Sequence, residues 1–142
     1  TPVIKANRGV LVKTIGDATM AAFPDPVDAL KASRSLQRFF SNVGQNECIK
    51  LRISLNLGPC IAVNLNTGID YFGTTVNLAA KLQRFAETGD IAFSQVLLDA
   101  PEVRQFLEDE NIKCQTRIYE SKDFKEPIPV YIWNVHDHMA PP

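Results

Sequence analysis

Asn77, Lys81 and Arg84 are spaced four and three residues apart, so on a helix they lie along one face. Val76, Leu78, Ala79, Ala80, Leu82, Phe85 and Ala86 make the rest of that segment apolar through most of a turn. A helix buried on two sides that keeps one polar stripe is unusual for a plain surface helix. Two readings stay open: a solvated stripe on a partly buried helix, or a stripe facing a phosphate, with an amide for orientation and a cation for charge. Lys13 raises a related question. By period two it points with Leu11 and Ile15 along an apolar strand, so it either snorkels to the sheet edge or donates a hydrogen bond into a pocket. Asp70, among Ile69, Tyr71 and Phe72, raises it with the opposite charge, as a cap or loop residue or as a specific acceptor. Asp17 follows Gly16 at a tight turn, where Asp tolerates the backbone geometry a turn needs.

Other reactive side chains carry less. Cys48, Cys60 and Cys114 are an odd number at wide spacings, which fits neither a disulfide framework nor a zinc site; they read as small buried hydrophobes in a reducing compartment. His136 and His138 lie in a polar tail with no partner at ligand spacing. Fifteen basic residues against sixteen acidic give a net charge of -1, so a nucleic-acid footprint is not expected. The longest apolar runs, such as Met20 to Phe23, are too short for a membrane span. The hydrophobic content of 45% over 142 residues suits one buried core and one domain, 1–136, followed by a loose tail, 137–142.

Positioning these residues requires a mixed set of elements. Val10 to Ile15 and Ala18 to Phe23 around Gly16-Asp17 suggest a hairpin. Asp25 and Pro26 announce a helix whose apolar positions are Val27, Leu30, Leu36, Phe39, Phe40 and Val43, stopped by Gly44. Ile49, Leu51, Ile53 and Leu55 alternate with Lys50, Arg52, Ser54 and Asn56, which predicts a strand with one buried face. Gly58-Pro59 turns into a second strand, Cys60 to Leu65. Thr74 or Thr75 then caps a helix running to about Thr88 and ended by Gly89. A short strand at Ile91 to Phe93, helical segments within Ser94 to Leu107, and strands near Lys113 to Tyr119 and Val130 to Val135 complete the chain. Such irregular mixing predicts an α+β class with a largely antiparallel sheet.

In order, these segments resemble a known family. Val12-Lys13-Thr14-Ile15-Gly16-Asp17-Ala18, Leu51-Arg52-Ile53 through Gly58-Pro59, and Asp70-Tyr71-Phe72-Gly73 through Asn77-Leu78-Ala79-Ala80-Lys81-Leu82 resemble the class III adenylate/guanylate cyclase catalytic domain. The match continues through Ala86 to Ile91 and into Ser121 to Pro127, which is similar to that family's late Lys-Gly loop.

The resemblance implies a ferredoxin-like α/β sandwich and an enzyme that converts a nucleoside triphosphate into a 3′,5′-cyclic monophosphate and pyrophosphate. Two divalent ions, Mg2+ or Mn2+, assist the attack of the ribose 3′-hydroxyl on the α-phosphate. Asp17 matches one of the two metal-binding aspartates. The family places the other in an earlier strand, and the chain opens Thr1-Pro2 without Met. The 142 residues alone are therefore expected to supply half of the pair and to be inactive. Lys13 matches the base-reading position that is Lys in adenylate-type members and Glu in guanylate-type members, and Asp70 matches its partner. ATP is the implied substrate: Lys donates to adenine N1 and Asp accepts from the N6 amino group. Asn77 matches the Asn that orients the ribose or transition state. Lys81 stands where the family usually has Arg, which keeps the charge and loses the bidentate fork. Lys122 falls where a Lys contacts phosphate, with Asp123 in place of the usual Gly. A head-to-tail homodimer, or pairing with another cyclase domain, is implied, with the metal and base-reading residues from one subunit and Asn77 and the cation from the other. The expected setting is cytoplasmic, with no membrane contact by the domain itself. The competing expectation is a degenerate cyclase-like module that binds nucleotide or dimerises without turnover.

Overall fold

The computed structural model describes residues 2–15, 18–42, 51–58, 61–65, 68–87, 89–122 and 125–138, with the backbone alone at 2, 10–15, 18, 40–42, 61–65, 68–72 and 137–138. Asp25, Pro26 and Asp28 start the long helix as their types suggest. The Asp25 carboxylate accepts from the Val27 backbone N–H at 2.8 Å, Pro26 takes the first helical position, and Asp28 sits in the first turn. This helix, α2 (Pro26–Asn42), follows a short α1 (Pro2–Ala6) and the antiparallel hairpin β1 (Val10–Ile15) and β2 (Ala18–Ala22).

A four-stranded sheet forms the frame. Its order is β3 (Ile53–Leu55), β6 (Asp90–Ser94), β8 (Ile128–Asn134) and β7 (Gln115–Tyr119). β3 runs parallel to β6, whereas β6–β8 and β8–β7 are antiparallel. A second hairpin, β4 (Ile61–Leu65) and β5 (Gly68–Phe72), is antiparallel, and β5 lies against β1 of the first hairpin. β5 is an element the sequence reading missed. Its Ile69-Asp70-Tyr71-Phe72 run is too short and too mixed in polarity to show clear alternation.

The central strand β6 is buried from end to end, and its period-two alternation divides the interior into two cores. Ile91 and Phe93, with Trp133 and Val135, pack on Leu30 of α2 and on Leu97, Val103, Phe106 and Leu107 of α4 (Gln95–Asp99) and α5 (Pro101–Asp109). Ala92 on the opposite face packs with Val130, Ile132 and Tyr119 against Leu82 and Ala86. Leu82 ends α3 (Thr74–Leu82), which passes into a 3-10 turn at Gln83–Phe85. So α3 covers one face of the sheet and α2, α4 and α5 cover the other. Each fully buried large side chain here contributes roughly 1.5–3 kcal/mol by leaving water. The α+β expectation with a mainly antiparallel sheet holds.

The buried face of α2 departs from the expected apolar list. Phe39 is 55% exposed, and Phe40 and Val43 fall among the undescribed side chains. The inward stripe keeps the expected Leu30, with Val27 packed beside it, and adds Ala29, Ala32, Ser33 and Gln37. Gln37, 2% exposed, is the informative member. Its amide donates to Leu51 O at 3.0 Å and to Asp90 O at 2.9 Å, joining the approach to β3 with the start of β6. Gln37→Ala removes a donor shared by two carbonyls and leaves a cavity. The expected loss is about 2–3 kcal/mol, read from the urea midpoint at unchanged denaturant slope.

Cys114 is the one cysteine among the described residues, half-buried, and burial pushes its thiol up to about 11. That suits an unreactive packing thiol. Cys48 and Cys60 lie outside the described residues. The last described residues, Val135–His138, form a 3-10 turn, and no described helix is long and apolar enough to cross a membrane.

Candidate functional site

The helix carrying Asn77 and Lys81 is fixed by polar side chains of β3 and of the residue that follows it. Ser54 and Asn56 were expected on the solvated side of that strand. Instead Ser54 Oγ donates to Ala79 O at 2.6 Å, and Asn56 Nδ2 donates to Thr75 O at 3.0 Å. Asn56 Oδ1 in turn accepts from Leu57 N at 2.9 Å and from Ser94 Oγ at 2.6 Å. Alternation correctly separates the two faces of β3, but both are covered, one by the α2 side core and the other by α3. The signal was in the residue types: Ser and Asn are short, and suit bonds to a helix backbone lying close above them.

Gly73, not Thr74 or Thr75, is the N-cap of α3, with φ 130° and no side-chain cap. A positive φ of this size favours glycine, and the sharp turn from β5 into α3 uses it. Both threonines lie inside the first turn. The helix ends at Leu82, six residues before the expected Thr88, by tightening into the 3-10 turn.

This early end alters the polar stripe. Asn77 is exposed and Lys81, in the last turn, is half-buried, so these two keep the helical phase. Arg84 falls in the 3-10 turn, and its guanidinium lies over the rings of Phe85 and Tyr119 at 6.0 and 5.7 Å. It extends toward β7 and does not continue the Asn77–Lys81 line. Of the apolar residues around the stripe, Leu82 and Ala86 are buried, Val76, Leu78 and Ala79 are half-buried, and Ala80 is exposed. Leu78 and Phe85 pack at the edge of the core, and Ala80 is the apolar residue left exposed.

Lys13 and Asp70 come from the two hairpins. Lys13 stands opposite Met20 in β1, and Asp70 stands opposite Val63 in β5. Because β1 packs against β5, the backbone brings the strands of these two residues together. The ladder register shifts between Leu11 and Lys13, so a bulge interrupts the period-two phase that linked Lys13 to Leu11. β5 also contacts α3, which follows it through Gly73. Lys122 is exposed, beyond the end of β7. Asp17 falls between β1 and β2, outside the described residues. Among the described residues no three His, Cys, Asp or Glu side chains are grouped to hold a metal ion.

Comparison with known proteins gives this arrangement a family. Residues 2–123 match the family described as the adenylate and guanylate cyclase catalytic domain. Over 145 residues the chain is 23% identical to "Putative adenylate cyclase 3" of Rhizobium meliloti (strain 1021), covering 99% of this chain and 23% of that protein. It is 36% identical over 100 residues to the uncharacterized protein Rv2212 of Mycobacterium tuberculosis (strain H37Rv), covering 70% of this chain and 25% of that one. The chain thus spans about a quarter of the length of these relatives. A solved structure, the catalytic core of a rhodopsin-guanylyl cyclase with converted specificity in complex with ATPαS, superposes with a TM-score of 0.76 at 25% identity, over 93% of this chain and 74% of that chain. The ferredoxin-like expectation is met in that likeness. With residues 2–123 matched by the family and the fold shared with that catalytic core, the chain belongs to the class III adenylate and guanylate cyclase catalytic domain family.

Proposed function

We propose that this domain is the catalytic domain of an adenylate cyclase, forming 3′,5′-cyclic AMP and pyrophosphate from ATP at a dimer interface. The observation that carries the reading is the placement of Lys13 and Asp70 on the contacting strands β1 and β5. A Lys donor and an Asp acceptor match the N1 acceptor and N6 donor of adenine. Guanine offers the reverse at both positions, and each mismatched group costs about 1–3 kcal/mol.

In this reading the ribose 3′-oxygen bonds to the α-phosphorus, the bond to pyrophosphate breaks, and the hydroxyl proton passes to solvent. Asn77, exposed on α3, orients the ribose and the reacting phosphate by hydrogen bonding. Lys81, one turn along the helix, neutralises charge growing on the phosphates, and Lys122 contributes from the loop after β7. Two Mg2+ or Mn2+ ions would supply the charge that activates the 3′-oxygen and steadies the leaving group, and Asp17 is this chain's residue to hold them. The half-buried Val76, Leu78 and Ala79 and the exposed Ala80 support a partner packed on α3, so that Asn77 and Lys81 complete a site whose Lys13, Asp17 and Asp70 belong to the other subunit.

A second reading, a cyclase-like module without turnover, is favoured by one residue: Lys81 replaces the family's usual Arg. One experiment separates the two. The whole protein carrying this domain is assayed with ATP and with GTP, in magnesium and in manganese, beside Lys81→Arg. The enzyme reading expects cyclic AMP formation, raised several-fold by the restored bidentate cation. ATP binding with no product from either protein would leave the second reading standing.

A further inference from the structure

Ser54 and Asn56 are two residues apart, so both side chains leave the extended β3 segment toward α3. Their acceptors, Ala79 O and Thr75 O, are four residues apart, one turn along the helix. Two residues of extended chain rise about 6.6 Å and four residues of helix about 6 Å, so the two spacings match. The later strand residue meets the earlier helix residue, so helix and strand run in opposite directions. Two such bonds fix both the position of α3 along the strand and its tilt, which one bond alone leaves open.

The Asn56 amide is held one way round. Its Oδ1 accepts from the Leu57 backbone N–H, which can only donate, so Nδ2 is the end that faces Thr75 O. The buried Ser94 adds a second donor to Oδ1 and, accepting from Leu97 N at 3.3 Å, caps α4. Beside this contact the chain approaches α3 so closely that a Cβ on Gly58 would stand 2.7 Å from Thr75 Oγ1. At the other end of α3 the Gln83 N–H turns back to Ala80 O, and Ser54 supplies a donor to Ala79 O, one residue earlier. At about 100° per residue, Asn77 lies on the far side of the helix from both Thr75 and Ala79. It is exposed there, so the anchors grip α3 from behind.

We propose that Asn56 and Ser54 are positioning residues for the cyclisation step: by holding the first and last turns of α3 they set where Asn77 and Lys81 meet the nucleotide. The inference rests on the adenylate cyclase reading, in which those two side chains act on the ribose and the phosphates. A helix of nine residues is short and stiff, so a shift at Thr75 is carried to Asn77, two residues on. A displacement of about 1 Å costs up to about a hundredfold in rate when it misaligns a group that orients the reacting atoms. ATP affinity depends on it less, because in that reading Lys13, Asp17 and Asp70 come from the other subunit.

The test uses the whole protein carrying this domain, with cyclic AMP formation and hydrogen exchange over α3 as separate readouts. Asn56→Asp replaces the Nδ2 donor by an oxygen and keeps the acceptor for Leu57 N and Ser94 Oγ. It should lower kcat about thirtyfold, leave the KM for ATP within about twofold, and speed exchange of the α3 amides about tenfold. Ser54→Ala, which introduces no charge, should lower kcat about fivefold, and Ser54→Thr, which returns the hydroxyl, should restore it. Ser94→Ala is the control. It removes the α4 cap and lowers the melting temperature, yet spares the bond from Asn56 to Thr75, so kcat stays within about twofold of the parent. A merely structural role for the anchors predicts the parent's kcat in every variant at a temperature where all are folded, and that result overturns the proposal. Unchanged α3 exchange in both Asn56→Asp and Ser54→Ala overturns it as well, whatever the activity. A parent that makes no cyclic nucleotide, with exchange quickened in both variants, instead sinks the cyclase reading and with it the catalytic role assigned to the anchors.

Discussion

Asn77→Ala is expected to lower cyclic nucleotide formation by about a hundredfold while leaving stability within about 0.5 kcal/mol of the parent. Asn77 is exposed in the middle of α3, and the helix is held without it: Asn56 grips Thr75 O, Ser54 grips Ala79 O, and Leu82 and Ala86 bury the inner face. Asn is also a poorer helix former than Ala, so the substitution should if anything stiffen the helix slightly. A solvated stripe therefore predicts no loss anywhere. Catalysis predicts a large loss in kcat, because an amide that orients the reacting ribose acts mainly as the transition state forms. Steady-state assay of the whole protein beside thermal unfolding separates them. A kcat within twofold of the parent would remove Asn77 from the proposed machinery.

The positions of the elements were largely legible because their signals are local. Asp25-Pro26 marks the start of α2 through hydrogen-bond and dihedral chemistry confined to four residues, and the buried strands β6 and β8 show dense apolar runs. What escaped were properties set by neighbours distant in sequence. Ser54 and Asn56 look like the wet face of a strand until α3 is laid across them. Gln37 looks like a surface amide on an amphipathic helix until Leu51 O and Asp90 O are brought to it from 14 and 53 residues away. The reverse error occurred at Phe39, a large apolar residue at helical spacing that the packing leaves more than half exposed.

The candidate site followed the same division. Periodicity alone set Asn77, Lys81 and Arg84 in one line, and the change from α to 3-10 geometry after Leu82 turned Arg84 onto Phe85 and Tyr119. Lys13 kept its strand but not its simple phase, because one extra residue in β1 shifts the ladder. No single-sequence periodicity could reveal that β1 and β5 lie together, since the contact joins hairpins some fifty residues apart in the chain. Order along the chain, compared with a family, supplied that information.

The contact between β1 and β5 supports the second large effect. Lys13→Glu combined with Asp70→Cys is expected to lower the ratio of kcat/KM for ATP over GTP by about a hundredfold or more. Lys13 pairs with Met20 just past the bulge in β1, Asp70 pairs with Val63 in an unbroken ladder, and a side-chain exchange at either position removes no backbone donor or acceptor. Glu at position 13 accepts from the guanine N1–H that Lys repels. Cys at position 70 ends the clash between the Asp carboxylate and guanine O6 and provides a weak S–H donor. Reversing two matched groups at about 1–3 kcal/mol each gives the stated size, with adjacent positions combining less than additively. Lys13→Glu alone should depress ATP turnover without creating good GTP turnover, because Asp70 still repels O6. A double variant that folds, retains activity and keeps the parent's ATP preference would show that β1 and β5 do not read the base. The adenylate assignment would then fall, with the family membership untouched.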